Sequence, residues 1–212
     1  MHRFTQPPEI SELLRLSPQL KYLLWDMDGT LLNTEILHTK ASLSIVSEQH
    51  PEDCPSYEFV DNLCLGRTDQ DCLKAFQELD YLKILNLSEF IELKFNHIKK
   101  IILSSKKDTV LAPSVLNLLK ECQKHKIKLA IVTSSERDLT DLILKQLDPT
   151  YFFDLILTRE DTIENKPSPM PYLSAMNHFK ASTNECFIFE DSPTGLQAAS
   201  KSTIAYGKAC WY

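Results

Sequence analysis

The sequence predicts an α/β protein: a parallel sheet covered by helices on both faces and interrupted near its start by a helical insertion. Five short apolar runs rich in β-branched and aromatic residues have the length and continuity of fully buried strands, at Tyr22–Trp25, Ile127–Val132, Phe152–Leu157, Cys186–Phe189 and Thr203–Tyr206. Amphipathic helical patterns lie between the later runs, and alternating strand and helix implies right-handed βαβ units. The gaps are uneven. The last three are about 20, 29 and 13 residues, near the size of a simple crossover, whereas about 100 residues separate Trp25 from Ile127.

Taken in order, residues 1–20 form an N-terminal extension with a short helix carrying Ile10, Leu13 and Leu14 on its packed side. Residues 21–31 hold the first strand and the turn after it. Within the long gap, helical periodicity recurs at Leu37, Ala41 and Ile45, at Cys72, Ala75, Phe76 and Leu79, and at Ile91, Phe95, Ile98 and Ile102. No convincing strand interrupts it, so residues 32–110 are expected to be an all-helical module. Val115, Leu118, Leu119 and Cys122 mark the helix that returns to the core, which residues 111–212 complete. Helices with Leu139, Leu142, Ile143 and Leu147, then Tyr172, Ala175, Met176 and Phe179, then a short one from Pro193 to Lys201, separate the remaining strands. Lys99, Lys100, Lys106 and Lys107 read as a solvated helix face.

Composition narrows the function. The chain has 212 residues, 43% hydrophobic and 25% charged, the profile of a folded globular protein rather than a disordered one. A net charge of −6 supplies no basic field to concentrate a polyanion, so no nucleic-acid partner is expected. There is no run of 18 apolar residues and no secretion signal, so neither membrane nor export is expected. The six cysteines contain no C-x-x-C pair and are widely spaced, which reads as reduced thiols in a cytoplasmic setting. Only four glycines occur, so each marks a place where the backbone needs one.

Ligands of an open parallel sheet bind beyond the carboxyl ends of its strands. Those ends are polar here: Asp26, Asp28, Gly29 and Thr30 follow the first strand, Thr133, Ser134 and Ser135 the second, and Glu190 and Asp191 the fourth. Lys166 lies between the third strand and its helix, in Asn165-Lys166-Pro167-Ser168-Pro169. Singly each has a plainer reading, as a helix cap, a turn or a solvated lysine. Together they form one chemical set. Clustered carboxylates suit Mg²⁺, which prefers oxygen ligands and binds phosphate. Lys166 and the Thr133 hydroxyl can hold the remaining phosphate oxygens in a reaction governed by positioning and electrostatics. Asp26 is then the candidate nucleophile, forming an aspartyl phosphate. Asp28, two residues on, is the candidate acid and base, and Gly29 permits the turn that brings both to one site.

These residues resemble the haloacid dehalogenase-like hydrolase superfamily over essentially the whole chain after Leu20. LLWDMDGTLLNTE is similar to its first motif, LAIVTSS to its second, NKPSP to its third and FIFEDSPTGLQAA to its fourth. The resemblance implies a Rossmann-like core with strand order 5-4-1-2-3 and a helical cap inserted after the first motif, closing over the core to select substrate. It implies that Asp26 is both nucleophile and metal ligand, and that Asp28 also gives a backbone carbonyl to Mg²⁺. Asp191 is implied as a metal ligand with Glu190 beside it acting through water, and Thr133, with Ser134 next to it, and Lys166 as phosphate-binding positions. Dehalogenases of the superfamily lack the second aspartate, so Asp28 argues for phosphate chemistry.

The phosphatase and β-phosphoglucomutase-like branch fits best. His38 and the Gly66-Arg67-Thr68 segment resemble its cap residues, with His38 and Arg67 as candidate substrate contacts; each also reads as an ordinary surface side chain. Asp69 stands where a phosphoglucomutase presents arginine, and Glu136 and Arg137 replace its lysine and asparagine. Arg159, Asn165 and Met170 are further departures from the family pattern. The expectation is therefore a Mg²⁺-dependent phosphatase of a small phosphorylated metabolite. Its rivals are a sugar phosphomutase of the same fold and a non-catalytic binding protein on a retained fold. Trp211 and Tyr212 are expected to pack against the core.

Overall fold

The computed structural model covers all 212 residues and describes all but residues 65–66, 105–109 and 148–151, together with the side chains of 146–147. The described residues form two compact units, Met1–Asn33 with Lys107–Tyr212, and Thr34–Lys106.

The first unit is a sheet flanked by helices. Its strands are β1 (His2–Phe4), β2 (Tyr22–Trp25), β3 (Lys128–Val132), β4 (Leu155–Leu157), β5 (Cys186–Glu190) and β6 (Ala205–Ala209), all parallel, in the order β1-β6-β5-β2-β3-β4. The five strands read from the sequence thus stand in the order the family resemblance implies. The edge strand β1 carries no alternation signal in three residues. It is recruited by pairing with β6 and by the buried Phe4 ring, which packs edge-on against Phe187 and Phe189. The expected N-terminal helix follows as α1 (Ile10–Leu16), with Leu13 fully buried.

Register decides which residues meet. Trp25 is level with Ile131 on one side and Phe189 on the other. Asp26 and Glu190 come next, and Thr133 two residues past Ile131, so the three lie at the ends of adjacent strands along one edge. On one face of the sheet Leu24, Ala130, Val132 and Ile188 pack with Tyr172 and Ala175 of one helix and Ala198 and Ala199 of another. Full burial of Leu24, Val132 and Ile188 contributes roughly 1.5–3 kcal/mol each.

The second unit contains α2 (Glu35–Gln49), α3 (Tyr57–Cys64), α4 (Asp69–Glu78) and α5 (Leu87–Ser104), around a cluster of Ile45, Val46, Val60, Phe76, Leu82 and Phe90. The apolar periodicity of α5 places Ile98 and Ile102 correctly in its packed face but not Ile91 or Phe95. Ile91 is 44% exposed, while Phe90, Lys94, His97 and Ile98 point inward. Two polar groups can be buried there because Lys94 pairs with Asp69 and His97 with Glu48 at 3.2 Å. Lys106 and Lys107 lie outside the described residues.

The expectation of reduced thiols is overturned at one pair: Cys64 and Cys72 form a disulfide. Their spacing of eight residues escapes a search for close pairs. It places them at the end of α3 and the start of α4, with 5.2 Å between Cα atoms, inside the range a disulfide can span. Cys54, Cys122, Cys186 and Cys210 are free. No described helix is long and apolar enough to cross a membrane.

The first unit is completed by α6 (Pro113–Lys124), α7 (Arg137–Leu147), α8 (Met170–His178) and α9 (Pro193–Ser202).

Candidate active site

The centre of the site is a buried ion cluster. The backbone N–H of Asp26 donates to the Phe189 carbonyl at 3.0 Å, continuing the β2–β5 ladder one residue past the strand and fixing the carboxylate at the sheet's edge. Lys166, in the turn before α8, donates to Asp26 Oδ1 at 2.5 Å and to Glu190 Oε1 at 2.7 Å, and its side chain is 3% exposed. Glu190 is the most heavily held group. It accepts from the Tyr172 hydroxyl at 3.0 Å on one oxygen, and from the Ser192 backbone N–H and hydroxyl, each at 3.0 Å, on the other. Asp191 accepts from the Thr30 hydroxyl at 2.7 Å.

Two glycines make this possible. Gly29 turns the chain with φ at 75°, and a Cβ there would lie 2.5 Å from Asp191 Oδ2. Gly195, in the first turn of α9, leaves room for Glu190: a Cβ would overlap its Oε1 at 1.6 Å. The acid two residues past Asp26 has different neighbours. Asp28 Oδ2 accepts from the Ser135 hydroxyl at 2.5 Å, with the Thr133 hydroxyl at 3.3 Å.

Burial, the Glu190 charge beside it and the further charges of Asp191 and Asp28 push the Asp26 carboxyl well above the usual range, opposed by Lys166. Burial also raises Asp191. Lys166 is raised, because attraction to Asp26 and Glu190 outweighs the cost of burying its charge. Burial and the neighbouring Glu190 push Tyr172 far up, so its hydroxyl stays a donor. Carboxylate oxygens of Asp26, Glu190 and Asp191 lie within 4.8 Å of one another against one ammonium. That excess of negative charge, on hard oxygen donors, is what a small dication would offset, so the residues fit Mg²⁺. Asp26 and Asp191 are the better donors, since the Glu190 oxygens are already taken by protein hydrogen bonds.

The model of the haloacid dehalogenase-like hydrolases matches residues 23–208. The chain belongs to this family. The validoxylamine A 7′-phosphate phosphatase of Streptomyces hygroscopicus subsp. limoneus is 25% identical over 184 residues, covering 87% of this chain and 83% of that one. A phosphorylated carbohydrates phosphatase of Thermotoga maritima is 27% identical over 186 residues, covering 87% and 82%. Among solved structures, CbbY from Rhodobacter sphaeroides in complex with phosphate shares the fold, with a TM-score of 0.67 at 22% identity, covering 89% of this chain and 85% of that one.

In this haloacid dehalogenase-like hydrolase the first unit brings together Asp26, Asp28, Gly29, Thr133, Lys166, Glu190 and Asp191. Ser134, expected with Thr133, is exposed at the strand end, and it is Ser135 that reaches Asp28. Sequence reasoning placed Ser135 at a strand end without giving it a role, and missed Tyr172 and Gly195. Tyr172 read as one more apolar position of a helix, and only the glycine shortage pointed toward Gly195.

Trp211 packs edge-on against Trp25 and Phe189 as expected, whereas Tyr212 is 39% exposed. The indole N–H donates to the Thr30 carbonyl at 2.8 Å and the Tyr212 hydroxyl to the Leu31 carbonyl at 3.0 Å, pinning the segment that follows Asp28. Arg137 and Arg159 belong to a local brace: the Arg137 N–H donates to Glu160 at 3.1 Å, its guanidinium pairs with Asp161, and the Arg159 N–H donates to the Ser135 carbonyl at 3.1 Å. The helical unit places His38 and Arg67 together in a pocket of about 260 Å³, which Asp69 and Lys94 also line. Gly66 lies outside the described residues.

Proposed function

We propose that this hydrolase is a Mg²⁺-dependent phosphatase of a small phosphorylated metabolite, working through an aspartyl phosphate on Asp26. The observation that carries the reading is the Asp26–Lys166–Glu190 cluster at the ends of β2 and β5, with Asp28 one turn away on its own hydroxyl partners. Asp26, Asp191 and the Asp28 backbone would hold the ion, which supplies charge neutralisation for the bound phosphate.

Asp26 Oδ2 attacks phosphorus while Lys166 holds Oδ1, and the bond to the leaving oxygen breaks. Asp28, carrying a proton, delivers it to that oxygen and becomes a carboxylate. It then takes a proton from water as the water attacks the aspartyl phosphate, releasing phosphate and restoring both acids. Thr133 and Lys166 bind the phosphoryl oxygens, and Glu190 with Tyr172 fixes Lys166. The helical unit acts as the substrate-selecting cap, with His38 and Arg67 as contacts to the non-reacting part, and the enzyme works in the cytoplasm. The mutase reading is weakened by Asp69, which stands at the arginine position and is engaged with Lys94.

The test is phosphate release from a panel of sugar, nucleotide and small-acid phosphates, with Mg²⁺ and with chelator, for wild type and Asp26→Asn. Metal-dependent release lost in the variant is the expected result. Folded wild type that releases phosphate from no member, but interconverts sugar phosphates when given a bisphosphate activator, would transfer the assignment to a phosphomutase.

A further inference from the structure

The Cys64–Cys72 disulfide does not sit in a remote part of the helical unit. Both residues line the pocket that holds His38, Arg67, Asp69 and Lys94. The bridge ties the end of α3 to the first turn of α4, and the chain between its ends supplies Arg67, Thr68 and Asp69. The Arg67 N–H donates to the Cys64 carbonyl at 3.0 Å, and the Thr68 hydroxyl accepts from the Asp71 N–H at 3.2 Å to cap α4. Asp69 pairs with the nearly buried Lys94 of α5.

The two sulfurs are unlike. Cys72 is buried in the cluster of Val60 and Phe76, whereas Cys64 is partly exposed and packs at that cluster's margin. Cys64 is therefore the better candidate for attack by an incoming thiolate. Elsewhere Cys122 and Cys186 are buried thiols pushed up to about 12, with almost no thiolate to react. The helices α3 and α4 have apolar anchors of their own, Val60 and Phe76, apart from the bridge.

We propose that Cys64 and Cys72 form a redox-controlled modification site, opened by a dithiol reductant, that sets how well the helical unit's pocket holds the substrate. The reductant's thiolate attacks Cys64 Sγ, the Sγ–Sγ bond breaks, and Cys72 leaves as a thiolate that takes a proton. The reductant's second thiol then displaces Cys64, so the protein gains two electrons and two protons and the reductant leaves as its disulfide. Two thiols need more room than a bonded pair. Because Cys72 is fixed in the core, the displacement falls on Cys64 and the Arg67–Thr68 stretch beside it. The inference rests on the phosphatase reading in taking the pocket's occupant to be the non-reacting part of the substrate.

The test compares the full-length protein oxidised with glutathione disulfide and reduced with dithiothreitol, the state of residues 64 and 72 being verified by alkylation and mass spectrometry. With the best substrate of the phosphate panel, reduction should lower kcat/KM by about tenfold or more, mainly through KM, since a misplacement of 1 Å costs as much as about 10²-fold. Reoxidation should restore it, and Cys64→Ser/Cys72→Ser should sit at a single value unresponsive to either reagent. Equal kcat/KM in the two verified states overturns the proposal, as does an equal response in the double variant or failure of the pair to oxidise. If no substrate is turned over at all, the phosphatase reading fails separately, and hydrogen exchange over Arg67–Glu78 decides this one. Faster exchange on reduction supports it; identical exchange in both states refutes it.

Discussion

Asp26→Asn should make the protein more stable while removing its activity. In the absence of metal, Asp26 faces two like charges whose oxygens lie within 4.8 Å, each repulsion being worth at least about 3.5 kcal/mol at an effective dielectric of about 20. Its attraction to Lys166 at 2.5 Å is worth about 6.6 kcal/mol on the same scale. The repulsion at least offsets the attraction, which leaves the cost of burying a carboxylate, several kcal/mol for an ion taken out of water. Asparagine removes that cost, and Lys166 keeps Glu190 at 2.7 Å. The expected gain is about 1–3 kcal/mol at pH 7, or about 2–4 °C in Tm for each kcal/mol in a chain of this size.

The pH dependence follows from the direction of the shift. A carboxyl raised in the folded state above its ordinary 3.8 costs nothing below that value, and its cost grows as pH rises toward the folded pKa. Thermal and urea unfolding in chelator from pH 4 to 8 would measure this, beside an activity assay in which the variant loses at least about 10⁴-fold. A variant no more stable than wild type at pH 7, or an advantage that fails to shrink toward pH 4, would refute the account of a strained buried charge.

Other perturbations address the supports of the cluster. Gly195→Ala forces Glu190 from its place; even with alanine's helix advantage of about 1 kcal/mol it should destabilise by about 3–5 kcal/mol in urea and lower kcat. Tyr172→Phe removes one donor to a buried charge and should cost about 1.5–3 kcal/mol, read from the urea midpoint. Glu185, held by Lys21 and Ser182, has a pKa lowered to about 2 from 4.5, so its stabilisation is present above pH 4.5 and is lost as pH falls toward 2. Glu185→Gln should flatten that part of the acid unfolding curve. Removing Trp211 and Tyr212 frees the Thr30 and Leu31 carbonyls, and faster hydrogen exchange after Asp28 should follow.

Much of this protein is legible in one dimension because its informative features are local. Five strands announce themselves as apolar runs, although β4 and β6 prove only partly buried, the long gap after Trp25 announces an insertion, and Asp26, Asp28, Thr133, Lys166, Glu190 and Asp191 each lie at or after a strand end. Parallel pairing then places strand ends at one edge whatever the details of packing. Other features depend on groups far apart in the chain. Strand β1 exists because β6 offers an edge and Phe4 finds Phe187 and Phe189. The inward face of α5 is set by Asp69 and Glu48, which satisfy Lys94 and His97 from other helices. Tyr172 and Gly195 matter only because the Glu190 carboxylate lies against both. The Cys64–Cys72 bond, too, depends on how two helix ends meet. Periodicity records what a residue wants from water; which partner satisfies a buried polar group is decided only when the folded chain brings the two together.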